Sequence, residues 1–221
     1  MSKPIKAPKP IFDRAKFQGD SRAVKWGIRD LESVQAVLKH VPVREACVQA
    51  GANIGIFPKF LAKHFTACYV FEPSAELFPM MTANAPEPNI IRFQAALGEA
   101  PALVGTACTR RKAGPGPIHA GLTHIDGPGL IPTVRLDDFA LPTVNLLYLD
   151  LEGFELFALR GAVKTIARCR PVIAVEINQN SGYYGVSKED VSGFIEAQGY
   201  VHQLSIHSDQ AFVPIERVSC P

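Results

Sequence analysis

The chain of 221 residues contains no apolar run near the roughly 20 residues that span a bilayer, so no transmembrane helix is expected. Its basic, proline-bearing start (MSKPIKAPKP) has no apolar stretch behind it and does not read as a signal peptide. Cysteine is sparse: the five thiols at 47, 68, 108, 169 and 220 are odd in number and include no CxxC pair. That argues against structural zinc or a disulfide framework, and for free thiols in a reducing, cytoplasmic setting. Neither sign of charge dominates. A net +2, from 23 Lys and Arg against 21 Asp and Glu, does not call for a polyanion or a membrane as partner. Nucleic acid stays as an alternative only through the basic start and the run Arg110, Arg111, Lys112, with no base-reading motif beside them. There are no internal repeats, and nothing in the sequence speaks to oligomeric state.

Hydrophobic residues make up 47% and charged residues 20%, ordinary proportions for a soluble globular chain long enough for one sizeable core. Residues 1–25 read as a basic, Pro-rich arm and 26–221 as the folded domain, with Trp26 as the anchor between them. Residues 30–40 place Leu31, Val34, Val37 and Leu38 on one helical face, with Asp30 as the N-cap. A helix capped by Ser74 runs toward Asn84, and Pro79 is expected to kink or shorten it. Residues 89–96 read as a strand. The Gly/Pro-rich stretch 99–132 is expected to be an irregular insert, with strands embedded near 102–109 and 133–136. Residues 144–150 and 171–177 are apolar almost throughout, as strands buried on both faces of a parallel sheet are. A helix is expected directly after the first of these. A Ser187-capped helix and an antiparallel pair at 200–206 and 211–215 close the chain. Strands and helices alternate: the fold class is α/β, a Rossmann-like doubly wound sheet, mostly parallel, with an antiparallel C-terminal edge strand.

Residues 47–73 hold the unit around which the rest is arranged. An apolar run stops at Gly51, turns through GANIG, and continues as a helix from about Gly55; a second apolar run, 67–71, stops at Glu72. Strand, glycine turn, helix, strand and acid, in that order, open a nucleotide-binding α/β fold. The helix start aims unpaired N–H groups at the turn. Glu72, 21 residues after Gly51, is placed to accept hydrogen bonds from both hydroxyls of a ribose. The dinucleotide pattern GxGxxG is not met, because Asn53 and Ile56 stand where its later glycines belong. A ligand with a ribose and no phosphate, such as S-adenosylmethionine, fits this turn better than a pyrophosphate does.

The pair VQAGANIG and FEP resembles the first motifs of class I S-adenosylmethionine-dependent methyltransferases. The series VRLDDF, LLYLDLEGFELFALRGA and RPVIAVEIN resembles the signature of the FkbM-type methyltransferase family, and the resemblance spans about residues 46–178. It implies a seven-stranded sheet whose seventh strand is antiparallel, S-adenosyl-L-methionine as cofactor, and methyl transfer to a hydroxyl on a glycan, natural product or other small acceptor. It places Gln49, Gly51, Asn53 and Gly55 in the cofactor turn, Glu72 on the ribose, Gln94 and Ala95 near the adenine, and Asp150 against cofactor or acceptor. The arm and the insert 99–132 depart from the family pattern, and the insert is expected to face the acceptor.

Transfer to a hydroxyl requires a group that removes its proton. The candidates are Asp150, Glu152, His119 and His124. Each has a plainer reading beside it. Asp150 could cap the next helix, Glu152 could answer the dipole of that helix's first turn, and the histidines could be ordinary surface residues. Glu155 reads as solvated or helix-pairing. Glu176, an acid inside an apolar strand, reads as lining the site, since burying it unpaired costs several kcal/mol. Tyr183 and Tyr184 read either as an acceptor-stacking wall or as a packed loop. No metal is assigned: a divalent ion at Asp150, Glu152 or the pair Asp137 and Asp138 stays as an alternative, but the acid spacing demands none, and Asp137 and Asp138 more simply start a helix. The rival functions are a nucleotide-dependent oxidoreductase or epimerase, a nucleic-acid or nucleotide methyltransferase, and a non-catalytic module that keeps the cofactor pocket.

Overall fold

A computed structural model describes residues 21–108 and 123–218, without the side chains of 21–23, 26 and 108. The arm up to residue 20, the basic run 110–112, His119 and the Trp26 side chain therefore lie outside the described residues. Helix α1 (Ser21–Leu38) comes first. Asp30 sits in its middle and is not its N-cap, and the expected boundary at residue 25 falls inside it. Gly27, a weak helix residue, hid the earlier turns from a periodicity reading. The organising unit follows as β1 (Ala46–Ala50), α2 (Ile56–Leu61) and β2 (Ala67–Phe71).

Helix α3 (Leu77–Asn84) starts where the Ser74 hydroxyl accepts hydrogen bonds from the N–H groups of Glu76 and Leu77. Pro79 falls in its first turn, where backbone N–H groups have no partner inside the helix, so its missing N–H costs no helix bond there. Strand β3 (Ile90–Phe93) is followed by a second, smaller sheet where an irregular insert was expected. Its members are β4 (Ala96–Leu97), β5 (Ala102–Cys108), β6 (Thr123–Pro128) and β7 (Ile131–Val134), in the order β4-β7-β5-β6. Pro128 is tolerated because β6 is an edge strand, whose outward N–H needs no ladder partner.

The chain then returns to the main sheet through β8 (Leu146–Leu149), α4 (Glu155–Arg160), α5 (Val163–Cys169), β9 (Val172–Glu176), α6 (Lys188–Ala197), β10 (Tyr200–Ile206) and β11 (Asp209–Pro214). The main sheet has seven strands in the order β10-β11-β9-β8-β1-β2-β3. β3, β2, β1, β8 and β9 are mutually parallel, while β11 runs antiparallel to both β9 and β10. All residues of β1 and β8 are buried, which is why those segments show no polar alternation.

Side chains alternate across the strands and divide the core into two layers. Cys47, Leu146, Tyr148, Val172 and Ala174 pack on one face with α1, α2 and α3. Val48, Ala50, Leu147, Leu149, Ile173 and Val175 pack on the other with α4, α5 and α6.

Candidate active site

A cavity opens at the carboxyl ends of the parallel strands, where the chain order reverses between β1 and β8. This is the crevice in which doubly wound sheets take their ligands. It measures about 220 Å³, against the roughly 10–15 Å³ that one water requires by the same measure, so it suits a metabolite. Gly51, Asn53 and Ile54 of the β1–α2 turn form one wall, and Glu72, Pro73 and Leu77 the next.

Glu72 is 4% exposed, and both its oxygens are already held. The Asn53 N–H donates to Oε2 at 2.7 Å, and the Ser74 N–H donates to Oε1 at 2.9 Å. Asn53 takes a left-handed backbone (φ 52), within the range that asparagine tolerates. Burial pushes the Glu72 carboxyl up to about 7, while the two N–H donors pull it down. Each oxygen keeps lone-pair capacity toward the cavity. A carboxylate so held can accept two hydrogen bonds from a vicinal diol, such as that of a ribose. Ala96 and Leu97 add apolar wall beside it.

The opposite half of the cavity is acidic. Asp150 follows β8, Glu152 lies in the loop after it, and Glu176 ends β9; one carboxylate oxygen from each lies within 4.8 Å of the others. Sequence separation gives no hint of this, since parallel strands bring the ends of β8 and β9 side by side. The Asn180 side chain donates to Glu152 Oε2 at 2.5 Å. Glu176 accepts from the Asn178 amide at 2.7 Å and the Ser208 hydroxyl at 2.8 Å. Burial, then the neighbouring charges of Glu176 and Glu152, push Asp150 well above the usual carboxylate range. Burial and Glu176 likewise raise Glu152 to about 8, against the pull of the Asn180 hydrogen bond. Such a trio can share protons or hold a divalent cation. Asp137 has no part in it: its oxygens accept from the N–H groups of Lys164 and Thr165 and cap α5.

Two expectations about this stretch are corrected. Glu152 is not in the first turn of a helix; α4 begins at Glu155, and Glu152 sits before it in a left-handed turn (φ 53). Glu155 is not solvated. It is 1% exposed, and its Oε1 accepts from the N–H groups of Leu151 and Gly153, so it holds the Glu152 loop from beneath. Gly153 has φ +103, and a Cβ there would come within 2.4 Å of the Asn180 backbone. No side chain is compatible with that turn.

Among the residues read from sequence, Gly51, Asn53, Glu72, His124, Asp150, Glu152 and Glu176 line the cavity. Gln49, Gly55, Gln94 and Ala95 do not. The buried Gln49 amide donates to the Gly51 carbonyl and stiffens the turn from behind. Gly55 is the cap residue of α2. β3 ends at Phe93, leaving Gln94 exposed, and it is Ala96 and Leu97 that reach the cavity. Sequence reasoning also missed Gly27, Arg29 and Asp30, which line the cavity from α1. Arg29 pairs with Asp30 at 2.7 Å. Nothing local marks them, because α1 reaches the sheet only through tertiary packing.

Residues 49–201 match the methyltransferase FkbM domain. Over 213 residues the chain is 26% identical to the hexuronic acid methyltransferase AglP of Haloferax volcanii, covering 90% of this chain and 83% of that protein. Among solved structures it is similar to the methyltransferase FkbM of Methylobacillus flagellatus KT, with a TM-score of 0.50 and 15% identity. That match covers 90% of this chain but 56% of the other, so the chain spans little more than half its length. It is also similar to SMU.1697c of Streptococcus mutans, solved in complex with SAH, with a TM-score of 0.50, 11% identity and coverage of 83% and 96%. These structural likenesses concern the fold. The match over most of its length shows that the chain belongs to the FkbM family of S-adenosylmethionine-dependent methyltransferases.

Proposed function

We propose that the protein moves a methyl group from S-adenosylmethionine to a hydroxyl of a glycan or similar small acceptor, with Asp150 taking the acceptor's proton. When bound, the cofactor supplies an electrophilic methyl on a positively charged sulfur. Glu72 grips its ribose, the Gly51–Ile54 turn lies along it, and Arg29 offers a cation suited to its carboxylate end. The acceptor enters on the Asp150, Glu152 and Glu176 side. There Asp150, with its proton affinity raised by burial and by neighbouring acids, faces the cavity as the proton acceptor. Glu152 and Glu176, with carboxylate oxygens within 4.8 Å of it, can share that proton. The small sheet adds a further wall to the cavity through Thr123, His124 and Ile125 of β6. His124 belongs to that wall in this reading.

One observation carries the proposal: Glu72, with both oxygens held by backbone N–H groups, and the acidic trio around Asp150 face one cavity on either side of the chain reversal. The similarity to a hexuronic acid methyltransferase supports a sugar acceptor. A labelled-methyl assay with S-adenosylmethionine and a panel of neutral glycosides, uronides, phenols and acyclic polyols tests it. Transfer to an oxygen is expected. Tight cofactor binding without transfer to any hydroxyl would leave a binding module, and transfer to RNA or DNA alone would move the function to nucleic acid.

A further inference from the structure

Tyr183 and Tyr184 are neighbours with unlike roles. Tyr184 is half-buried, and its hydroxyl donates to the Ile125 carbonyl of the edge strand β6 at 2.8 Å. Its ring meets Phe154 and Phe157 edge-on, with centroids at 5.2 and 5.9 Å. Tyr183, by contrast, is 62% exposed. It is held parallel to the cavity-lining His124, with ring centroids 5.4 Å apart and planes 12° from parallel. The 3-10 helix that carries both tyrosines (Asn180–Tyr184) also carries Asn180, which positions the Glu152 carboxylate. One short, pinned segment thus carries both an exposed ring stacked on a cavity-lining residue and the amide that holds one of the cavity's acids.

We infer that His124 and Tyr183 form a stacking ledge for a pyranose ring of the acceptor, so that the substrate is a glycoside and not an acyclic alcohol. A pyranose carries its C–H bonds on its faces and its hydroxyls at its edge. The apolar face lies on an aromatic ring, and the edge hydroxyls remain free to reach hydrogen-bonding groups such as the carboxylates. An acyclic polyol has no such face. A protein side chain of Tyr183's size left this exposed and yet ordered by stacking is pre-organised for a partner, which lowers the entropy lost on binding. The inference rests on the proposed O-methylation and adds where the acceptor lies.

The test uses the full chain with methyl glycosides of neutral and uronic pyranoses, catechol and glycerol as acceptors. Initial rates of labelled-methyl transfer are measured beside cofactor affinity and thermal midpoint. Tyr183→Ala is expected to raise the KM for the methylated pyranoside about three- to tenfold, the range of one aromatic stacking contact. Its kcat, cofactor affinity and thermal midpoint should stay near wild type, and Tyr183→Phe should restore the KM. His124→Ala should raise KM in the same way, whereas a His124 base would lower kcat instead. An unchanged KM in Tyr183→Ala overturns the ledge and leaves O-methylation standing. Methylation of glycerol or catechol with no pyranoside turned over also overturns it. Cofactor binding with no oxygen methylated at all overturns the function itself, and the ledge with it.

Discussion

Gly51 lies against the backbone of Asp150: a Cβ built on Gly51 would stand 1.7 Å from the Asp150 carbonyl oxygen. The turn proposed to receive the cofactor and the residue proposed as base are therefore two sides of one backbone contact at the ends of β1 and β8. Gly51 also has φ +81, which side chains rarely adopt. Gly51→Ala is expected to destabilise the fold by several kcal/mol, through a backbone clash that cannot relax without parting the strands. Chemical denaturation measures it. A variant of wild-type stability would show that the two strand ends are free to separate.

Glu72→Gln retains shape but replaces one acceptor oxygen with an amide donor facing the N–H groups of Asn53 or Ser74. Cofactor affinity should fall by about 1–3 kcal/mol, as one or two hydrogen bonds to a charged group are lost. Isothermal calorimetry with S-adenosylmethionine and S-adenosylhomocysteine reads it. Equal affinity in the variant would place the ribose elsewhere.

Stability should decline as pH rises from about 5 to 8. Burial raises Glu155 from 4.5 to about 7, and raises Asp209 from 3.8 to about 6, although the Tyr148 hydroxyl donates to it at 2.9 Å. Between its unfolded and folded values each group binds more proton in the folded state, so unfolding releases protons and is favoured by rising pH. The contribution is complete below about pH 4 and is lost once pH passes the raised values. Each pKa unit corresponds to about 1.4 kcal/mol, which puts the Glu155 share at a few kcal/mol. Glu155→Gln should flatten this slope while keeping an acceptor for the Leu151 and Gly153 N–H groups. Thermal midpoints from pH 5 to 8 check both; a midpoint that climbs across that window in the wild type would contradict the buried-acid account.

Asp150→Asn should cut kcat by about 10²–10⁴-fold, the usual contribution of a positioned base. Its thermal midpoint should hold or rise, because a neutral amide replaces a buried acid whose charged form is disfavoured by burial, Glu176 and Glu152. Turnover and melting fix the answer together. Parallel losses in both would make Asp150 a structural residue.

Periodicity and turn chemistry sufficed where short-range geometry governs. Residues 47–73 declared strand, turn, helix, strand and acid because a buried parallel strand must be apolar on both faces, and because a strand that turns sharply into a helix needs glycine. Glu72 was legible for the same reason: its place follows from the length of one crossover. The failures share a cause. Gln94 and Ala95 missed the cavity because a strand end one or two residues away re-aims every side chain. Asp30 was taken for a cap because a helix stripe does not announce where its first turn lies. Glu155 was taken for a surface acid because burial of a polar group depends on which N–H groups the fold brings to it.

The chain's order of apolar runs and glycines thus dictated an α/β sheet with a glycine turn and an acid facing a cavity at its first crossover, since those signals are written within a few residues of where they act. Tertiary packing alone settled the meeting of Asp150, Glu152 and Glu176, the small sheet built from the Gly/Pro-rich stretch, and the pairing of His124 with Tyr183. Those arrangements join segments tens of residues apart, and their energy lies in contacts that no local pattern encodes.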